Sequence, residues 1–212
     1  MRSMKIRLAV GFSQLLLAVA APAAGQDRMP PIRADKMTDA QKAAVEAFKT
    51  ARRAADVSGP FVPLLRSPEV MTRARAMGDY LRFNSVLPPR LSEFVILLTA
   101  RVWTQQYEWN AHSRLALEAG VKPAIVQAIA DGRRPAGLAD EEEILYDLCD
   151  ELQRNRSVAD ATYDRAKAKF GEQGIVDAVG IVGYYTLLAM VMNTARTPLP
   201  PGVKPPLAPL PR

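Results

Sequence analysis

The stretch SEFVILLTARVWTQQYEWNAHSRLALEAG, from Ser92 to Gly120, constrains this chain more than any other. It reads as one long uninterrupted helix and holds the only histidine, His112. At about 100° per residue, Glu93, Arg101, Thr104, Gln105, Glu108 and His112 fall within roughly a third of the circumference. Phe, Val, Ile, Leu, Trp and Ala occupy most of the remainder. A helix apolar on most faces is a buried one, so the polar stripe is expected inside the protein. Two carboxylates, a guanidinium and an imidazole are costly to bury unless they satisfy one another or meet a ligand. The stripe is therefore the candidate site.

With 212 residues, 49% of them hydrophobic, the chain can bury a full core as one domain. Residues 1–25 are set apart. Arg2, Lys5 and Arg7 precede an apolar run from Leu8 to Ala21, followed by small residues suited to a signal peptidase. The run is too short to span a membrane as a helix, so it reads as a cleaved signal peptide, and the mature chain as exported and periplasmic. Cleavage removes three basic residues and no acidic one, taking the formal charge from +6 to +3. The remaining Lys and Arg form no basic tract interleaved with aromatics, which argues against nucleic-acid binding; no membrane contact is expected after cleavage. The single cysteine, Cys149, lies among Leu145, Leu148 and Leu152 with no cation or histidine near it in sequence, and reads as a buried, inert thiol.

Residues 26–57 read as a Pro-rich arm and a helix. Thr38 and Gln41 form a capping-box signature that opens the helix, which reaches about Ala55. Phe61 to Leu65 is a short apolar segment. Ser67-Pro68-Glu69 starts a helix to about Phe83, with Val70, Ala74, Met77 and Leu81 expected inward. Beyond Gly120, placed to end the central helix, a short helix spans about Pro123 to Ala130. Arg133 and Arg134 then lie in a loop, solvated or rimming a pocket. Asp140 to Glu143 put negative charge on the first turn of a helix to about Arg154. Ser157 to Asp160 cap another to Phe170, ended by Gly171. The last helix, about Glu172 to Ala195, is apolar nearly all round and suggests a subunit interface beside the core. Residues 203–212 are a Pro-rich tail. No segment alternates with period two, so the fold class is all-α with seven or eight helices.

Glu93 followed by RVWTQQYEWNAHSRLALEAGV, with Val158 to Tyr163 and Val182-Gly183-Tyr184-Tyr185 later, resembles the carboxymuconolactone decarboxylase family over about Ser58 to Gly202. The resemblance implies the all-helical fold of alkylhydroperoxidase D for residues 58–202, and assembly as a homo-oligomer, a trimer or hexamer. The family's thiol peroxidases carry a Cys-x-x-Cys pair four residues before the histidine. Gln105 and Glu108 occupy those positions here, so disulfide-based peroxide reduction has no nucleophile at this site. In the decarboxylases an acidic residue precedes the histidine by one turn, as Glu108 precedes His112.

The resemblance thus implies a cofactor-free lyase acting on a small carboxylated lactone or related organic acid. Such a reaction needs a cation for the substrate carboxylate, a dry pocket, and an acid to protonate the resulting carbon. His112 is the candidate proton donor, with Glu108 tuning it and Glu93 orienting it or serving as a second base. Arg101 suits carboxylate recognition, but an ion pair with Glu93 or Glu108 is an equal alternative. Gln105 and Tyr107 can donate to a carbonyl, although Tyr107 and Trp109 also suit packing. No cofactor or metal is called for, since only Glu108 and His112 have helix-ligand spacing. Two other readings stand beside the lyase: a redox protein dependent on Cys149, and a non-catalytic exported binding or assembly module.

Overall fold

A computed structural model describes residues 26–209; the signal peptide expected at residues 1–25 lies outside them. Among the described residues there are eight α-helices and no strand. They are α1 (Asp39–Arg52), α2 (Phe61–Leu64), α3 (Pro68–Phe83), α4 (Pro89–Val102), α5 (Gln106–Glu118), α6 (Pro123–Ala130), α7 (Asp140–Asn155) and α8 (Asp160–Ala195). Their ends follow local chemistry. Thr38 and Gln41 form both halves of the capping box on α1. Prolines start α3, α4 and α6, where the missing N–H is no loss.

The core is built around α4. Every residue from Leu91 to Arg101 is buried, and α4 packs against α5, α7 and α8. The one uninterrupted helix expected from Ser92 to Gly120 is instead two. The chain breaks at Trp103–Gln105, with Thr104 at φ +46°. Gln105 N–H donates to Ala100 O (2.8 Å) and Thr104 N–H to Arg101 O (2.9 Å), the paired bonds of a Schellman termination. Thr104 fills the left-handed position where glycine is usual. Without that glycine the stop is hard to see in the sequence.

The inner face of α3 is also rotated from expectation. Met71, Ala74, Gly78 and Leu81 point inward, while Val70 and Met77 are exposed. Gly78 decides this: a Cβ there would collide with the ring and hydroxyl of Tyr184. The two helices expected on either side of Gly171 adjoin without a loop. Gly171 takes φ +68° and kinks α8. By length and composition α8 could cross a membrane, yet half of its most apolar window is buried in the fold. Its Asp177 is buried and accepts bonds from Ser85 Oγ (2.8 Å), Val86 N–H (3.0 Å) and Tyr80 OH (3.2 Å). The α8 surface is not covered all round, since Val176, Val179 and Met190 are exposed.

Candidate active site

Three buried polar side chains meet where α5 packs on α4. His112 Nδ1 lies 2.7 Å from Glu93 Oε2, and His112 Nε2 lies 3.4 Å from Glu108 Oε2. All three residues are less than one-tenth exposed. Glu93 comes from α4, whereas Glu108 and His112 are one turn apart on α5. Burial opposes charge on the imidazole. Hydrogen bonding to Glu108 and Glu93, with their charges, outweighs it and holds the His112 pKa above its ordinary value. The two carboxylates thus favour the protonated ring, one nitrogen gripped tightly and the other loosely. The Tyr185 ring meets it in a T-shaped contact, centroids 5.0 Å apart. The two carboxylates take opposite ring nitrogens, so they do not converge on one cation position.

The Glu108 side of the ring opens on a cavity of about 140 Å³. Arg52 and Arg82 supply positive charge to its wall; Tyr107, Tyr184 and Tyr185 supply aromatic surface and hydroxyls. Arg52 is braced 2.6 Å from Asp79 and lies over the Phe48 and Phe61 rings. Arg82 Nε and Glu108 Oε1 are buried without a hydrogen-bond partner among the described residues. An unpaired donor and an unpaired acceptor on one wall leave unmet capacity for a polar ligand. Burial pushes the Tyr184 hydroxyl up to about 12, so it remains a donor. Gly59, at φ +57°, admits the Tyr107 ring, which would lie 2.7 Å from a Cβ at that position.

The remaining expected site residues do not all belong here. Arg101 does not line this cavity, and it pairs with neither Glu93 nor Glu108. Its Nη1 donates to Ala208 O of the tail (2.9 Å) and its side chain faces a different cavity. Arg101 shares α4 with Glu93 but lies about 80° further round and about 12 Å further along it. The break at Thr104 turns Glu108 and His112 away from the phase a continuous helix would give. Gln105 is likewise not at the cavity. Its amide donates to Asn193 (2.8 Å), and its Oε1 accepts from Tyr107 N–H (2.6 Å), which caps α5. Tyr107 does line the cavity. Sequence reasoning missed Arg52, Arg82, Ser58 and Gly59, which come from α1, α3 and the loop before α2. Nothing in their spacing links them to His112; only packing does. Cys149 is fully buried on α7, its thiol pushed up to about 12 by desolvation, and it does not line the cavity.

Residues 68–145 match the carboxymuconolactone decarboxylase family. The matched segment includes Arg82, Glu93, Glu108 and His112, while Arg52, Tyr184 and Tyr185 complete the cavity from outside it. Among solved structures, the chain is similar to the alkylhydroperoxidase AhpD core of an uncharacterized peroxidase-related protein from Ralstonia eutropha JMP134. That match has a TM-score of 0.64 at 16% identity, covering 82% of this chain and 92% of that one. An uncharacterized peroxidase-related protein from Silicibacter sp. TM1040 aligns with a TM-score of 0.64 at 14% identity, over 82% of this chain and 92% of that chain. A protein of unknown function from Agrobacterium tumefaciens gives 0.58 at 15% identity, over 65% of this chain and 94% of that chain. At such identities the likeness is one of fold. No curated protein matches the sequence.

Proposed function

We propose that the chain is a cofactor-free acid–base enzyme, a lyase that decarboxylates a small carboxylated lactone or a related organic acid. The observation that carries this reading is the buried His112 clamped between Glu93 and Glu108 at the wall of a cavity that also presents Arg52 and Arg82. In the proposed reaction the arginines hold the substrate, with the carboxylate that leaves turned toward Ala111 and Leu188. As the carbon–carbon bond breaks, carbon dioxide departs and the electron pair moves into the lactone as an enolate. His112 then delivers its Nε2 proton to carbon, because that nitrogen is the loosely held one. Glu93 keeps the ring oriented through Nδ1, and Glu108 assists return of a proton from water. The cavity is smaller than those that take drug-sized ligands, which suits a small acid.

Two of the fold neighbours are peroxidase-related proteins. A thiol peroxidase needs a thiolate, and the single cysteine of this chain is deeply buried with a raised pKa. The lyase reading is therefore preferred to the redox one. Carbon dioxide release from carboxymuconolactone and other carboxylated lactones, followed for wild type, His112→Asn and Glu108→Gln, tests it. A loss of about 10²–10⁴-fold in kcat with folding intact is the expected result for a general acid. Unchanged turnover in both variants overturns the assignment, and no turnover by the wild type favours a non-catalytic exported module. We further propose an exported homo-oligomer. The exposed Met77, Tyr80 and Phe83 of α3 and Val176 of α8 offer an apolar face for a second copy, and light scattering on the mature chain reads the copy number.

A further inference from the structure

We propose that a second cavity, between α4, the α6–α7 loop and α7, binds a small hydroxycarboxylate with Arg101 as its anchor. This cavity, about 80 Å³, shares no lining residue with the one beside His112. Arg101 is only 5% exposed, and no carboxylate lies within ion-pair distance of it among the described residues. Its single hydrogen bond runs from Nη1 to Ala208 O, on a tail held in place by Gln106, whose side chain binds both Leu207 N–H and Leu207 O (2.9 Å each). Arg101 Nε is buried and unpartnered. Asp131 acts on Arg101 only through space and is itself paired with Arg133. A buried guanidinium with neither a direct ion pair nor a full set of acceptors is costly unless a ligand completes it.

The second unpartnered group on this wall is an acceptor. Gln153 spends its Nε2 on Cys149 O (3.2 Å), leaving Oε1 buried with nothing to accept from. The rim adds no net charge, because Arg133 is paired with Asp131 (2.7 Å) and Arg154 with Asp150 (2.5 Å). Arg101 therefore supplies the one uncompensated positive charge, which matches a monovalent anion. Leu98, Val102 and Ile129 form an apolar wall that a purely inorganic anion would leave unused. The complementary ligand has a carboxylate for Arg101 Nε, a hydroxyl to donate to Gln153 Oε1, and a short hydrocarbon part for that wall.

Calorimetric titration of the full mature chain with 2-hydroxybutyrate tests the site, with butyrate, methyl 2-hydroxybutyrate and inorganic phosphate as comparators. One saturable site per chain is expected. Arg101→Met should weaken binding by about tenfold or more, the size of a lost charge-assisted hydrogen bond. Butyrate should bind more weakly than 2-hydroxybutyrate, and Gln153→Leu should erase that difference. His112→Asn should leave the affinity unchanged, so this result stands or falls apart from the lyase reading. Should Arg101→Met fail to fold, the Gln153→Leu comparison alone decides. The proposal is overturned by absence of saturable binding, by affinity that survives Arg101→Met, or by a hydroxyl preference that survives Gln153→Leu. Binding that vanishes in His112→Asn, or selection of phosphate over 2-hydroxybutyrate, overturns it equally.

Discussion

His112 and Arg101 lie eleven positions apart in the stretch that dominates the sequence, are equally buried at 5% exposure, and end in opposite circumstances. The imidazole is compensated twice, by Glu93 at 2.7 Å and Glu108 at 3.4 Å. The guanidinium has a backbone carbonyl, an idle Nε, and no carboxylate partner among the described residues. Burial alone therefore says little about whether a charged group is part of the stabilising framework. What matters is whether its counter-charge is inside the fold or must arrive from outside.

The largest expected effect breaks that contrast directly. His112→Leu leaves Glu93 and Glu108 buried without the cation between them, and should destabilise the chain by about 3–5 kcal/mol. Arg101→Met removes a charge with no direct ion pair, and should leave stability nearly unchanged or slightly raised in the absence of ligand. Urea denaturation of both variants reads the difference. Equal losses would mean that Arg101 is as fully partnered as His112. A sharper probe of the first cavity alone is Gly78→Ala. It forces a methyl group into Tyr184, so overpacking should cost about 1–3 kcal/mol. Because it acts through Tyr184, its loss should add to that of Arg101→Met without coupling.

The sequence carried the helices well because their ends have chemical signatures: the Thr38–Gln41 box, prolines at the starts of α3, α4 and α6, and Gly120 at φ +96°. It carried the candidate site less evenly. Glu108 and His112 share a helix face, as their spacing implied. Glu93 reaches His112 by a different route, across the packing of α4 on α5, because the helix assumed to join them is broken. Arg101 shares unbroken α4 with Glu93, yet it faces the other cavity, which spacing along the chain does not reveal. Arg52 and Arg82 were invisible for another reason. Each sits near the end of an amphipathic helix, where an arginine ordinarily faces solvent, and only the packing of α1, α3 and α8 turns them toward one cavity.

The pH dependence of stability separates the two regions again, with a smaller effect. The folded pKa of His112 is raised, so its contribution is complete below the ordinary histidine value near 6.5 and is lost as pH rises through the higher folded value. The fall should not exceed about 1.4 kcal/mol per pH unit for one proton. Melting temperatures recorded from pH 6 upward should decline more steeply for wild type than for His112→Asn. Arg101→Met should retain the wild-type slope, because the guanidinium does not titrate in that range. A slope unaltered by His112→Asn would show that folding does not raise the His112 pKa.

The smallest effect concerns the residue that separates the two regions. Thr104 is β-branched yet holds φ +46° at the end of α4, a conformation that costs a non-glycine residue roughly 1–2 kcal/mol. Its hydroxyl returns little, since its contact with Arg101 O is 3.5 Å long. Thr104→Gly relieves the strain but enlarges the freedom of the unfolded chain by about 0.5–1 kcal/mol, so the net gain should be below about 1 kcal/mol. Neither cavity should change: lyase turnover and 2-hydroxybutyrate affinity should match wild type. A destabilisation of comparable size in urea titration would mean that the threonine is held there by contacts stronger than its strain. The break would then be fixed by packing around α4, not by the local turn.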